Sequence, residues 1–203
     1  MLFESKVGRS TCRLLHFSPT AWAKLMYWRD LGPTEVAGFC RTDPKDPYAV
    51  LDAVLLPQVA SRQWVALDGP GVADYFDQQV DLGRQPRDFA RIWFHTHPGP
   101  CARPSQTDRV TFEQTFGRPA EAVMLILARC GRTFAQLRSR GERWPLRVTV
   151  DFRRDFKGSN FPEWEQAYRR YVKVVTDEQQ AAPACHGCRR DRICGLVGDQ
   201  SGR

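Results

Sequence analysis

Two histidines and an aspartate with the spacing of metal ligands follow an apolar run in the middle of the chain. The run "FARIWF" leads directly into His95 and His97, and both imidazoles would face the same way because side chains in a strand alternate sides. Asp108 lies at the predicted start of a helix, where it could supply a third, anionic ligand. Two imidazoles and one carboxylate, with a fourth position left to water, are typical of a catalytic zinc site.

Each of these residues taken alone has a simpler interpretation. His95 and His97 could be a strand pair satisfied by hydrogen bonds, and Ser105 to Asp108 could be only a helix cap with a carboxylate at the positive end of the helix dipole. The complete pattern "HTHPGPCARPSQTD" favours the metal site. It also requires a proline directly after the second histidine and a serine three residues before the aspartate.

The complete pattern resembles the signature of the JAMM (JAB1/MPN/Mov34) metalloproteases. That signature has a glutamate well upstream, then His-Ser/Thr-His-Pro, a seven-residue spacer, a serine, two residues and an aspartate, and this chain contains every element. Glu35 and Gly38 in "GPTEVAGFC" are similar to the family's Glu-Val-x-Gly stretch. The resemblance covers roughly residues 15 to 155, is specific in the motif portion, and extends to the compact bacterial JAB-domain proteins.

The resemblance implies a role for each site residue. Zn²⁺ would be held by His95, His97 and Asp108, and would lower the pKa of water at the site from ~16 towards ~7. Glu35 would take a proton from that water and pass one to the departing amine, and Ser105 would donate a hydrogen bond to the oxyanion. The alternatives are a surface carboxylate for Glu35 and a helix cap for Ser105, and the cap is compatible with catalysis.

We therefore expect a deubiquitinase-like zinc metallopeptidase that cleaves after the carboxyl-terminal tail of a ubiquitin-like or sulfur-carrier protein, in precursor maturation, deconjugation or both. The resemblance also suggests activating and conjugating enzymes of the same pathway as partners. The tail could add as a strand to "VASRQWVALD", with Trp64 as an exposed anchor, unless this is a core strand with Trp64 buried. The alternative from a different class is a catalytically inactive MPN-type scaffold that binds a ubiquitin-like partner.

The elements that must position these residues alternate between helices and strands. Helices are predicted in "SPTAWAKLMYWRDLG", "VADYFDQQVDLGRQ", "SQTDRVTFEQTFG" and "FPEWEQAYRRYVKVV", and strands in "EVAGFCRT", "YAVLDAVLLPQVA", "RQWVALD", "FARIWFHTH", "AEAVMLILARC", "RTFAQLRS" and "WPLRVTVDF". We expect an α/β (α+β) fold whose central mixed, mostly antiparallel sheet is flanked by helices, as in MPN and cytidine-deaminase folds. Residues 1–175 would form the metalloprotease domain, and residues 176–203 a flexible tail containing cysteine and arginine.

The composition narrows the class of protein. With 203 residues, 42% of them hydrophobic and 26% charged, the chain is typical of one globular domain, and no apolar run is long enough for a membrane span. The absence of a secretory signal and the odd number of cysteines, seven, indicate a cytoplasmic protein with reduced thiols. The net charge of +7 would suit nucleic acid, but the basic residues form no block, so we do not expect specific nucleic-acid binding.

Three cysteines near the carboxyl terminus raise the question of a second metal. Cys185, Cys188 and Cys194 in "CHGCRRDRIC" could hold a structural Zn²⁺, but the second half of a typical zinc ligand set is missing. We therefore expect a flexible, thiol-bearing tail there. Cys101, inside the spacer of the motif, is not a ligand in the family that the chain resembles, and we treat it as incidental.

Overall fold

Seven strands form a closed ring in the computed structural model, which describes residues 13–116 and 119–176. The strands of the chain are β1 (Arg13–Phe17), β2 (Ala37–Asp43), β3 (Asp46–Leu55), β4 (Gln58–Ala60), β5 (Val65–Leu67), β6 (Ile92–His97), β7 (Glu121–Ala128), β8 (Thr133–Ser139), β9 (Glu142–Val150) and β10 (Val172–Val174). The helices are α1 (Pro19–Leu31), α2 (Gly69–Asp81), α3 (Pro86–Phe89), α4 (Gln106–Phe116) and α5 (Phe161–Tyr171). The ring runs in the order β1, β3, β2, β6, β7, β8, β9 and back to β1.

The ring corrects the expected central sheet flanked by helices, of the MPN/cytidine-deaminase-like kind. β1 pairs in parallel with β9, from Arg13 opposite Leu146 to Phe17 opposite Val150, and its other edge pairs in parallel with the middle of β3. Because both edges of β1 are bonded, β3 and β9 are not free edges, and the sheet closes into a barrel. The expectation of a central sheet flanked by helices is wrong because the short segment "RLLHF", which was not predicted to be a strand, closes the ring as β1.

A second sheet has three strands in the order β10, β4, β5. β4 and β5 form an antiparallel hairpin, and β10 pairs in parallel with β4, from Val172 opposite Gln58 to Val174 opposite Ala60. The predicted helix through "YVKVV" is therefore wrong at its end: α5 stops at Tyr171, and the valines that follow pair with β4. The predicted strand "YAVLDAVLLPQVA" is likewise two strands, β3 and β4, interrupted at Leu56 and Pro57.

Two helix starts show how local sequence sets the boundaries. α1 begins as predicted, because the Ser18 Oγ accepts a hydrogen bond from the Ala21 N–H at 3.2 Å. α2 begins earlier than predicted. The Asp68 carboxylate accepts from the Gly71 N–H at 2.9 Å, so "GPG" forms the first turn of the helix instead of breaking the chain before it.

The buried side chains form two clusters on the two faces of the strands. One cluster contains Leu25 and Trp28 of α1 together with Phe94 of β6. The other contains Trp93 of β6 and Phe112 of α4, whose rings stack with their centroids 6.3 Å apart. Since side chains alternate along a strand, the histidines that follow Trp93 at every second position face α4.

Part of the sequence-based interpretation concerns residues beyond these elements. The tail that contains Cys185, Cys188 and Cys194 lies outside the described residues. Within residues 13–116 and 119–176, no helix has the length and apolar character needed to cross a membrane.

Candidate metal centre

The register between β2 and β6 places Glu35 opposite His97. Ala37 pairs with His95, and moving two residues outward along each antiparallel strand brings Glu35 level with His97. Thr96 and Val36 extend this pairing beyond β2. The Thr96 N–H donates to the Val36 carbonyl at 2.9 Å, and the Val36 N–H donates to the Thr96 hydroxyl at 3.0 Å. The side chains of Glu35, His95 and His97 therefore lie on the same face.

Glu35 is buried at the entrance to β2, with 6% of its surface exposed. Its N–H donates to the carbonyl of Ser61 in the turn between β4 and β5, at 2.9 Å. Burial raises the pKa of Glu35 to about 8; His97 opposes this effect, and the negative charge of Asp108 adds to it. The site thus contains a carboxyl group that can gain or lose a proton near neutral pH.

His97 directs one ring nitrogen into the site. Its Nδ1 lies 2.7 Å from the carbonyl oxygen of Cys101, and Nδ1 must carry the hydrogen because a carbonyl oxygen can only accept. In the neutral ring, Nε2 then keeps its lone pair. Nε2 lies 3.2 Å from His95 Nε2, 3.6 Å from Asp108 Oδ2 and 3.9 Å from Glu35 Oε1. A backbone carbonyl behind one nitrogen is the usual way in which a metal-binding histidine is oriented.

His95 is fully buried beneath the other site residues. Its ring lies 4.5 Å from the ring of Trp93, measured between centroids, and its Nε2 lies 3.2 Å from Asp108 Oδ1. Burial lowers the pKa of His95 although Asp108 opposes the shift, which favours the neutral imidazole that binds metals. In the described part of the chain, its buried Nδ1 has no hydrogen-bond partner.

Asp108 supplies the negative charge of the site. Burial would raise the pKa of Asp108, but hydrogen bonds with His95, His97 and Ser105 outweigh it and hold that pKa well below its usual range. Burial also acts to lower the pKa of His97, yet the hydrogen bond to Asp108 and the Cys101 carbonyl raise it overall. The negative charge of Asp108 therefore favours either a proton on His97 or a bound cation, and binding of the cation would displace that proton.

The donor atoms fit a divalent cation such as Zn²⁺. Four ligands at ~2.0–2.1 Å around tetrahedral zinc lie about 3.3 Å from one another. The histidine Nε2 atoms are 3.2 Å apart, His95 Nε2 is 3.2 Å from Asp108 Oδ1, and His97 Nε2 is 3.6 Å from the other oxygen, Oδ2. Glu35 also offers a donor atom within 4.8 Å of those of both histidines. Asp108 could supply the third donor instead, because its carboxylate oxygens lie 3.2 Å from His95 Nε2 and 3.6 Å from His97 Nε2, whereas Glu35 Oε1 lies 3.9 Å from His97 Nε2.

All five residues predicted from the sequence are located at this site. Ser105 is exposed at the amino-terminal cap of α4, and its Oγ accepts a hydrogen bond from the Asp108 N–H at 3.1 Å. Among residues 13–116 and 119–176, this hydroxyl donates to no other group. Glu35, His95, His97 and Asp108 converge as described above. The sequence left open whether Trp64 is an exposed anchor or a buried core residue. It is half-buried, which agrees fully with neither alternative.

Sequence reasoning missed two contributions to the site. The backbone carbonyl of Cys101 orients His97, whereas the thiol of Cys101 is exposed. Trp93 packs against His95, and its position two residues before the first histidine on the same strand face was the available signal.

The comparisons with known proteins add little to this picture. No protein-family model matches the sequence, and no curated protein matches it. The solution structure of a protein from Desulfitobacterium hafniense is similar, with a TM-score of 0.46 and 14% sequence identity, over 70% of this chain and 94% of that one. A likeness at this level carries no argument about fold or function, so the interpretation of the site rests on its side chains.

Proposed function

We propose that this protein is a JAMM-type zinc isopeptidase or peptidase that cleaves after the carboxyl-terminal tail of a ubiquitin-like or sulfur-carrier protein. The observation that supports it most is the convergence of His95, His97 and Asp108 around one point, with the protonatable carboxyl group of Glu35 beside them. A closed structural zinc site would use four protein ligands, whereas three ligands and an adjacent acid/base group are typical of hydrolysis.

The chemistry separates into what the metal would supply and what the chain supplies. His95, His97 and Asp108 would hold the cation, which when bound supplies Lewis acidity and makes water a better nucleophile at neutral pH. Glu35 accepts a proton from the attacking water and delivers one to the leaving nitrogen, so the carbon–nitrogen bond breaks as a carbon–oxygen bond forms. The Ser105 hydroxyl, which accepts from the Asp108 N–H, donates its hydrogen to the carbonyl oxygen as charge develops on that oxygen.

The open edge of β5 supports an extended substrate. The Ser61 N–H donates to the Trp64 carbonyl, and the Asp68 N–H donates to the Pro57 carbonyl. Because hydrogen-bonded positions alternate along an antiparallel strand, residues 64, 66 and 68 direct their backbone groups towards β4, and Val65 and Leu67 do not. The backbone groups of Val65 and Leu67 consequently point away from β4. Among the described residues, no strand pairs with that edge. The same hairpin contacts Glu35 through Ser61, so a tail added to β5 would run towards the site.

The experiment compares zinc-loaded wild type with two variants. The substrate is a ubiquitin-like protein whose diglycine end carries a short peptide extension, and the wild type is expected to release that extension. Glu35→Gln should reduce kcat by ~10²–10⁴-fold, the usual range for a general acid–base residue, while zinc content stays stoichiometric. Glu142→Gln, at an exposed carboxylate on β9, is the matched control and should retain full activity. Equal cleavage by Glu35→Gln and wild type would overturn the mechanism.

The same measurements test the non-catalytic alternative. An MPN-type scaffold would bind the tail without releasing the extension, and neither zinc nor Glu35 would change the amount of product. Partners follow from the proposed activity: a ubiquitin-like protein or its conjugate, and the activating and conjugating enzymes of the same pathway in the cytoplasm.

A further inference from the structure

A groove of about 660 Å³ begins at the loop that orients His97. One wall is formed by residues 100–103, which include the Cys101 whose carbonyl accepts from His97 Nδ1, and the other by residues 131–134 at the turn between β7 and β8. Gly131 has a φ of +86°, a conformation that favours glycine, and its N–H closes the turn onto the Ala128 carbonyl at 3.0 Å. One wall of the groove is therefore bonded to His97 through the Cys101 carbonyl, and the other is fixed by the turn at Gly131.

The sheet topology places this groove on the side of His97 away from Glu35. β6 pairs with β2 along one edge and with β7 along the other. Glu35 and the β4–β5 hairpin lie beyond the β2 edge, whereas the β7–β8 turn lies beyond the β7 edge. The groove and the β4–β5 hairpin thus lie on opposite sides of His97, and the leaving part of a peptide bound along β5 would have to extend on the side of the groove.

Each wall of the groove carries an arginine. Arg103 and Arg132 are exposed, and within residues 13–116 and 119–176 neither guanidinium has a hydrogen bond or an ion pair. Among the described residues that line the groove there is no carboxylate. Arg129, in the same turn region, is different, because its guanidinium donates to the carbonyls of Arg29 and Gly32. The groove therefore offers two uncommitted positive charges and no internal anion.

We propose that this groove binds the free carboxyl terminus of a short peptide on the leaving side of the scissile bond, with Arg103 and Arg132 as specificity residues. This inference rests on the proposed function and refines it: the preferred substrate is a precursor with a short extension that ends in a carboxylate. Arginine suits this ligand because its planar guanidinium matches a carboxylate in two parallel hydrogen bonds. An isopeptide bond to an internal lysine places no terminal carboxylate there, so precursor maturation is favoured over deconjugation.

The test measures binding and cleavage separately. The probes are fluorescein-labelled peptides ending in Gly-Gly-Ala-Ala, one with a free carboxylate, one with a carboxyl-terminal amide, and one amide with an acidic side chain in the last residue. Binding to the zinc-loaded Glu35→Gln protein is followed by fluorescence anisotropy. The free carboxylate should bind about tenfold more tightly than either amide, the scale expected for one charge-assisted contact.

Arginine variants decide whether the groove is responsible. The preference for the free carboxylate should disappear in Arg103→Ala/Arg132→Ala and persist in Arg147→Ala, an exposed arginine on β9. Equal binding of acid and amide by the parent protein, a preference that survives the double variant, or equal binding of the acidic side chain would each overturn the inference.

The outcomes for this groove and for the enzyme are distinguishable. Cleavage of acid and amide probes at equal kcat/KM by the active protein would leave the peptidase proposal intact and overturn the role of the groove. A carboxylate preference in binding without cleavage of any probe would leave the groove intact and overturn the peptidase proposal.

Discussion

Ser105 and Asp108 hold each other in place at the start of α4. The Ser105 N–H donates to Asp108 Oδ2 at 2.6 Å, and the Asp108 N–H donates to Ser105 Oγ at 3.1 Å. This reciprocal arrangement is a capping box with aspartate at the third helical position. It leaves Asp108 Oδ1 facing His95 Nε2 at 3.2 Å, so the carboxylate that caps the helix is also the candidate metal ligand.

Removing the Ser105 hydroxyl should affect stability and catalysis by different amounts. Ser105→Ala loses the cap and should lower the free energy of unfolding by about 1 kcal/mol, measured by urea denaturation. Because the hydroxyl also stabilises the oxyanion in the proposed mechanism, kcat should fall by ~10²–10³-fold with little change in KM. Ser105→Thr keeps both functions and serves as the control. An unchanged kcat in Ser105→Ala would restrict the serine to helix capping.

The raised pKa of Glu35 predicts a pH-dependent cost of keeping this residue buried. Burial raises the pKa of Glu35 to about 8 in the folded protein, against 4.5 for an exposed glutamate. The contribution of protonated Glu35 to the free energy of unfolding is therefore fully present below pH ~4.5 and is lost as the pH rises towards 8. In chelator-treated protein, Glu35→Gln should therefore raise the free energy of unfolding at pH 8.5 by on the order of a few kcal/mol relative to its effect at pH 4.5. Urea denaturation at both pH values measures this, and an effect independent of pH would contradict it.

The open edge of β5 can be closed by one substitution. Val65→Pro removes an outward N–H without removing a hydrogen bond to β4, so the hairpin should persist while an added peptide loses a backbone partner. We expect the KM for the extended substrate to rise by roughly tenfold, with the far-ultraviolet circular dichroism unchanged. Ala66→Pro, which removes a bond to β4, should instead destabilise the hairpin. An unchanged KM in Val65→Pro would exclude strand addition at this edge.

Gly38 is required by close packing between strands. A Cβ at this position would collide with the backbone carbonyl oxygen of Val54 and press on the Phe94 ring. Gly38→Ala should therefore lower the free energy of unfolding by ~1–3 kcal/mol and displace the start of β2, which begins two residues after Glu35, so kcat should fall as well. Gly69→Ala is the matched control, since nothing lies within 4 Å of a Cβ there. Equal melting temperatures for the two variants would contradict this account.

The sequence could indicate that His95, His97 and Asp108 lie near one another because their placement depends on local geometry. Alternation along a strand places His95 and His97 together, and a serine three residues before an aspartate indicates a capped helix start. Glu35 was found through the resemblance to a family signature, and its register opposite His97 became visible only when β2 paired with β6. The Cys101 carbonyl could not be predicted, because a backbone group carries no sequence signal.

The ring could not be predicted for a related reason. Hydrophobic periodicity indicates that a segment is a strand, but it does not identify the partner strand, and the pairing of β1 with β9 joins residues 13–17 to residues 146–150. β10 was mistaken for helix because Val172 and Val175 continue the helical spacing of α5. Its strand conformation comes from the free edge of β4, which lies far away in the sequence.

The pairing of β1 with β9 also has a consequence for protein synthesis. Residues 13–17 leave the ribosome long before residues 146–150 are made, so any nascent chain that ends before β9 presents β1 and β8 each with an edge that lacks its final partner. Exposed strand edges recruit other extended segments. The ring can therefore close only after β9 has left the ribosome, and until then the unpaired edges of β1 and β8 are open to other extended segments.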